Sequence, residues 1–212
     1  MVGRVNARIV TLLMLPVLLA GARYAVQAAD PAGAAPDESL HAAGYDATGS
    51  LQRPPDLDRW VYLGSSLGMS YNDTPFSLEH PGDFQVVLME PGAYEYFRQH
   101  GRYADGSMFL LSFYEAERGV SIDRAGFVPG PRRSFEIHVL DRKRYAEGHA
   151  FFLFEEPTRQ SSALPPGSPC IKCHVPNGAF DGTFAQFYPP IRERLGKSTG
   201  GAAPKPSTPA TR

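Results

Sequence analysis

Only two cysteines and one tryptophan occur in the 212 residues of this chain. Neither sign of charge dominates, with 21 Lys and Arg against 22 Asp and Glu. Nothing in that balance points to nucleic acid or an anionic membrane surface as a partner. The apolar run at 9–20 falls short of the ~20 residues that span a bilayer, so a membrane anchor is the weaker reading. With two cysteines there is no thiolate set for a structural zinc site, which needs two further ligands at similar spacing.

What is present concentrates near the C-terminus. Both cysteines fall in Cys170-Ile171-Lys172-Cys173-His174. C-x-x-C-H is the attachment signature of c-type haem, one per chain. Two thiols one helical turn apart add to the two vinyl groups of a porphyrin, and the following histidine reaches the iron. A redox C-x-x-C needs no histidine and normally opens a helix after a strand; here Pro165, Pro166 and Pro169 precede the motif. Cys170, Cys173 and His174 are therefore the candidate cofactor residues, with His174 as metal ligand.

The N-terminus fits export. Arg4 and Arg8 precede the apolar run, and Val26-Gln27-Ala28 offers a small-residue cleavage site, the three-part layout of a secretory signal over 1–28. Its removal takes away Arg4, Arg8 and Arg23 and no acid, moving the formal charge from −1 to −4. A periplasmic location suits both signal and haem motif. Residues 29–55, rich in Ala, Gly, Pro and Asp, read as a flexible linker, and 197–212 as a disordered tail. That leaves one domain at 56–196.

Within it, 60–63 and 84–89 read as strands, and 91–100 as a helix with Pro91 at its first position and Gly101 as its stop. The apolar run 107–115 reads as a central strand. Residues 134–140 alternate, with Phe135, Ile137 and Val139 on one side and Glu136 and His138 on the other. Residues 149–154 form another strand, and short helices follow near 180–195. Strands first and helices last predict an α+β fold: a mainly antiparallel sheet, a few short helices and a haem-binding helix near the C-terminus. All-helical cytochromes c, with C-x-x-C-H near the N-terminus, do not fit.

The haem motif followed by residues 179–189 (Ala-Phe-Asp-Gly-Thr-Phe-Ala-Gln-Phe-Tyr-Pro) resembles the C-terminal signature of the cytochrome P460 family, which includes the cytochromes c′-beta. Upstream, Trp60 with Leu63-Gly64 resembles its opening strand, and 84–91 with Tyr94 its strand-Pro-x-x-Tyr step. Residues 101–107 (Gly-Arg-Tyr-Ala-Asp-Gly-Ser) and 139–145 (Val-Leu-Asp-Arg-Lys-Arg-Tyr) resemble its two central blocks. The resemblance covers essentially the whole predicted domain. It implies a mainly antiparallel β fold, a homodimer, and a His-ligated haem with an open distal side. Enzymes of the family oxidise hydroxylamine with a haem cross-linked to a lysine, whereas related members bind nitric oxide. The position matching that lysine is Leu111, which argues against the cross-link and its chemistry. The position matching the family's distal glutamate is Glu136, a general base within reach of a nitrogen substrate.

Each candidate has a plainer reading. Glu136 would otherwise be a solvated strand residue, and Leu111 ordinary core. Phe84 and Phe109 read as core, or as residues lining the haem. His138 shares the Glu136 face and reads as exposed. Met69, Met89 or Met108 would supply a sixth ligand in an electron carrier, although methionine more often fills a core gap. Two functions stay open: a periplasmic haem protein that binds nitric oxide or hydroxylamine or transforms it as an oxidoreductase served by an electron-transfer partner, and a six-coordinate electron-transfer cytochrome.

Overall fold

The computed structural model describes residues 43–69, 76–122 and 124–198. The expected signal at 1–28, the first part of the expected linker and nearly all of the expected tail lie outside them. From the N-terminus run β1 (Leu51–Gln52), β2 (Val61–Leu67), β3 (Phe84–Met89), α1 (Pro91–His100), β4 (Ser107–Arg118), β5 (Phe127–Leu140), β6 (His149–Glu155), β7 (Gln160–Ser161), α2 (Pro169–Asn177) and α3 (Pro189–Ser198). Strands β2 to β6 pair with their sequence neighbours in one antiparallel five-stranded sheet, and β1 pairs with β7 in a separate two-stranded one. The fold is α+β and mainly antiparallel. Among the described residues no helix is long and apolar enough to cross a membrane.

Local chemistry sets the helix between β3 and β4. Pro91 has no N–H to lose at the first position, and the Glu90 carboxylate accepts from the N–H groups of Gly92 (3.0 Å) and Ala93 (2.6 Å). That capping matters because Glu90 is 1% exposed, and a buried carboxylate must have donors. Gly101 ends the helix at φ 67, a left-handed conformation that costs glycine little.

Alternation along the strands builds two cores. One face carries Met108, Leu110, Phe135, Ile137, Phe152 and Phe154. The other carries Val87, Met89, Phe109 and Leu140, packed under Phe97 of α1 and Ile191 and Leu195 of α3. The first face is sealed by residues 43–60, whose Leu51 is fully buried and whose Trp60 is 8% exposed. Residues 43–55, expected to be flexible, are therefore part of the fold. Their small and polar composition hides one leucine that the sheet cannot do without. At the other end α3 runs to Ser198, past the boundary expected at 196.

β5 also starts earlier than the alternation suggests. Beyond the pairing of β3 with Tyr114 and of β6 with Ser134, strands β4 and β5 continue as a two-stranded ribbon. Pro129, Gly130 and Pro131 read as breakers in sequence, but a ribbon with free edges tolerates proline where a central strand does not.

Replacing Leu51 with Ala should cost about 2–5 kcal/mol, the range for emptying a buried leucine site. Denaturant unfolding at neutral pH measures it. A near-zero change would mean that residues 43–60 do not seal the sheet.

Candidate functional site

Helix α2 begins with Pro169 at its first position and presents Cys170 and Cys173 from consecutive turns, both as free thiols. The helix stops at Gly178, whose N–H donates to the His174 carbonyl at 2.8 Å. The chain then turns back, and the Gly182 carbonyl accepts a hydrogen bond from His174 Nδ1 at 2.9 Å. A carbonyl can only accept, so Nδ1 holds the proton and Nε2 keeps its lone pair. Phe184 and Phe151 flank the ring, their centroids 4.5 and 4.8 Å from it.

Gly182 makes this turn possible. Its φ is +65, and a Cβ there would lie 2.5 Å from the His149 ring. Asp181 beside it pairs with Arg142, which also pairs with Asp105 at 3.1 Å. The loop is held from outside by charge and from inside by the histidine.

Facing α2 across a cleft of about 600 Å³ stand Gln85, Leu111, Phe113 and Glu136, from β3, β4 and β5. A narrower recess runs on from it between Val87, Phe109, Phe151 and Phe184. Leu111 pairs in register with Val87 on one side and Glu136 on the other, so the three sit in one row across the sheet. No lysine lines the cleft or the recess among the described residues.

The structure thus brings Cys170, Cys173, His174, Leu111 and Glu136 around one cleft, with Phe109 in its recess. Phe84 is not among them. Strand alternation turns it away from the cleft, and its neighbour Gln85 faces in instead. Of the three methionines, Met69 lines the cleft, whereas Met89 and Met108 are 0% and 1% exposed in the two cores.

Sequence reading missed His138, which is 7% exposed rather than solvated. It stacks on Phe151 at 4.3 Å, meets His174 edge-on at 5.2 Å, and its Nε2 lies 3.0 Å from His149 Nδ1. Its place two residues after Glu136 was the available signal: whatever faces the cleft at 136 is joined there by 138. Burial, reinforced by His174 and His149, drives its pKa well below the usual histidine value. Glu136 is shifted the other way: burial alone raises its pKa, and no hydrogen bond or ion pair to it occurs among the described residues.

The residues fit a haem. The cleft lies in the ~300–1,000 Å³ range of cofactor sites, its walls are largely apolar, two free thiols stand at its edge, and one imidazole is held with its lone pair available. The cytochrome P460 family matches residues 54–185, more than half of the chain. The chain belongs to that family. No curated protein matches it. Membership makes this a cytochrome P460 haem protein, and the match spans every cleft residue from Met69 to His174. Residues 43–53, which seal the far face of the sheet, precede the match.

The raised pKa of Glu136 has a sign that can be measured. Its protonated form is favoured in the folded state, so its contribution to stability is complete below the ordinary glutamate range of about 4.3 and is lost as pH rises through the higher folded value. Glu136→Gln should remove that loss. Its stability should exceed wild type by more at pH 7 than at pH 4; an equal difference at both would contradict the burial.

Proposed function

We propose that this cytochrome P460 family member is an exported, c-type haem protein that takes a small nitrogen species, nitric oxide or hydroxylamine, on the side of the haem away from His174. The observation that carries this reading is the row Val87, Leu111 and Glu136: Leu111 and Glu136, a carboxylate with no ion pair among the described residues, face the thiols and the imidazole across the cleft, and Val87 continues the apolar wall into the recess.

Cys170 and Cys173 would hold the ring covalently, and His174 Nε2 would be the ligand to iron. Bound there, haem supplies an iron that can take a small nitrogen ligand or exchange electrons with it. Leu111 and Phe109 exclude water and favour uncharged ligands. Leu111 also leaves the cleft without the amine that the hydroxylamine-oxidising relatives use, so ligand binding is favoured over full hydroxylamine oxidation. Glu136, with no ion pair among the described residues and its pKa raised by burial, is suited to hold or accept a proton. A homodimer and a periplasmic electron-transfer partner belong to the same reading. The N-terminal 28 residues support the periplasm as its location.

A second reading, the six-coordinate electron carrier, is favoured by one observation: Met69 lines the cleft.

The purified exported holoprotein should carry one haem mass on the wild-type chain, and none when both Cys170 and Cys173 are replaced by Ala. Nitric oxide added to the ferrous protein should change its optical spectrum, and Glu136→Gln should alter that affinity by about tenfold, the scale of one hydrogen bond to a charged group, at unchanged haem content. A ferrous spectrum indifferent to nitric oxide would hand the site to Met69.

A further inference from the structure

The pair of buried His138 and half-buried His149 takes no part in the reading above. His138 and His149 stand on β5 and β6, and each has a second contact that leads to His174. His149 packs against Gly182 so closely that no Cβ fits between them. Gly182 supplies the carbonyl that holds His174 Nδ1. His138 is bonded to His149 at 3.0 Å and touches the His174 ring directly, edge to face. The four residues form a closed circuit: His174 to Gly182, Gly182 to His149, His149 to His138, and His138 back to His174.

His138 is buried and His149 half-buried, so the nitrogen of His138 depends on its bond to His149, and a buried polar atom left without a partner is costly. Two phenylalanines would fill a core at no such risk. The circuit gives the nitrogens something to do. The bond that a ligating histidine donates from its other nitrogen fixes its orientation and raises its basicity, and the groups behind that bond tune the metal. Here the acceptor is a backbone carbonyl in a left-handed turn, held from outside by the pairing of Asp181 with Arg142. His149 backs it, and His138 holds His149 in place.

We propose that the His138–His149 pair is a positioning element for His174, setting the strength of its Nδ1–H bond to the Gly182 carbonyl and through it the electron donation to haem iron. The proposal rests on His174 being the iron ligand, as proposed above. It does not require nitric oxide or hydroxylamine to bind.

The test reads the iron–histidine stretching band of the ferrous holoprotein by resonance Raman, with the midpoint potential alongside. The band must vanish in His174→Gly; its persistence overturns the ligand assignment and this proposal with it. His138→Phe keeps the ring stacked on Phe151 but removes the bonding nitrogen. At wild-type haem content, its band should move to lower frequency and its potential should rise, because a weaker Nδ1–H bond makes a poorer donor. His138→Gln, which can restore a polar atom facing His149, should return both toward wild type. A band and potential unmoved in His138→Phe make the pair core packing and overturn the proposal. Should that variant fail to load haem, His149→Asn decides: it can keep the bond to His138 but withdraws the ring edge from Gly182, and the same two shifts are expected. Their absence there overturns the proposal equally.

Discussion

The hydrogen bond from His174 to the Gly182 carbonyl ties the C-terminal helix to the loop that follows it, and the geometry of the cleft hangs on that tie. It fixes the tautomer of the His174 imidazole, and it requires a turn that glycine alone makes without strain. The turn in turn is anchored through Asp181 and Arg142 to Asp105, at the start of the central strand. The five-residue motif is therefore held in place by a loop eight residues downstream and by a sheet far earlier in sequence.

The sheet does two unlike jobs with its two faces. One face is closed by the chain itself, with Leu51 and Trp60 of the N-terminal segment completing a largely apolar core. The other is closed by α1 and α3 at one end and left as a cleft under α2 at the other. Keeping the catalytic candidates on paired central strands rather than on loops gives Leu111 and Glu136 fixed positions relative to each other. The same arrangement leaves a largely buried carboxylate without a hydrogen bond or ion pair among the described residues. A rigid apolar wall thus carries one group whose charge is costly.

Much of this was legible in the residues. The helix at 91–100 and the strand at 84–89 have the bounds expected, because proline, glycine and an unbroken apolar run are strong local signals. The alternation at 134–140 sorted its side chains correctly onto two faces. Alternation alone does not say that both faces are covered, which is why the burial of His138 is not legible from it. For Phe84, read as core or as lining the haem, parity with Val86 and Leu88 puts the side chain on the other face from Gln85. Residues 43–55 were hidden by composition, since a single buried leucine in a run of small and polar residues leaves no period to detect. The His138–His149 contact joins two strands across a turn and needed the register of β5 on β6 to be seen.

A crystal structure of the purified holoprotein tests the central claim most directly. The account predicts thioether bonds to Cys170 and Cys173, iron bonded to His174 Nε2, and Leu111 with Glu136 facing the haem from the sheet with no protein atom bonded to the iron on its second side. Iron bonded to the Met69 sulfur, or to a histidine other than His174, would contradict it.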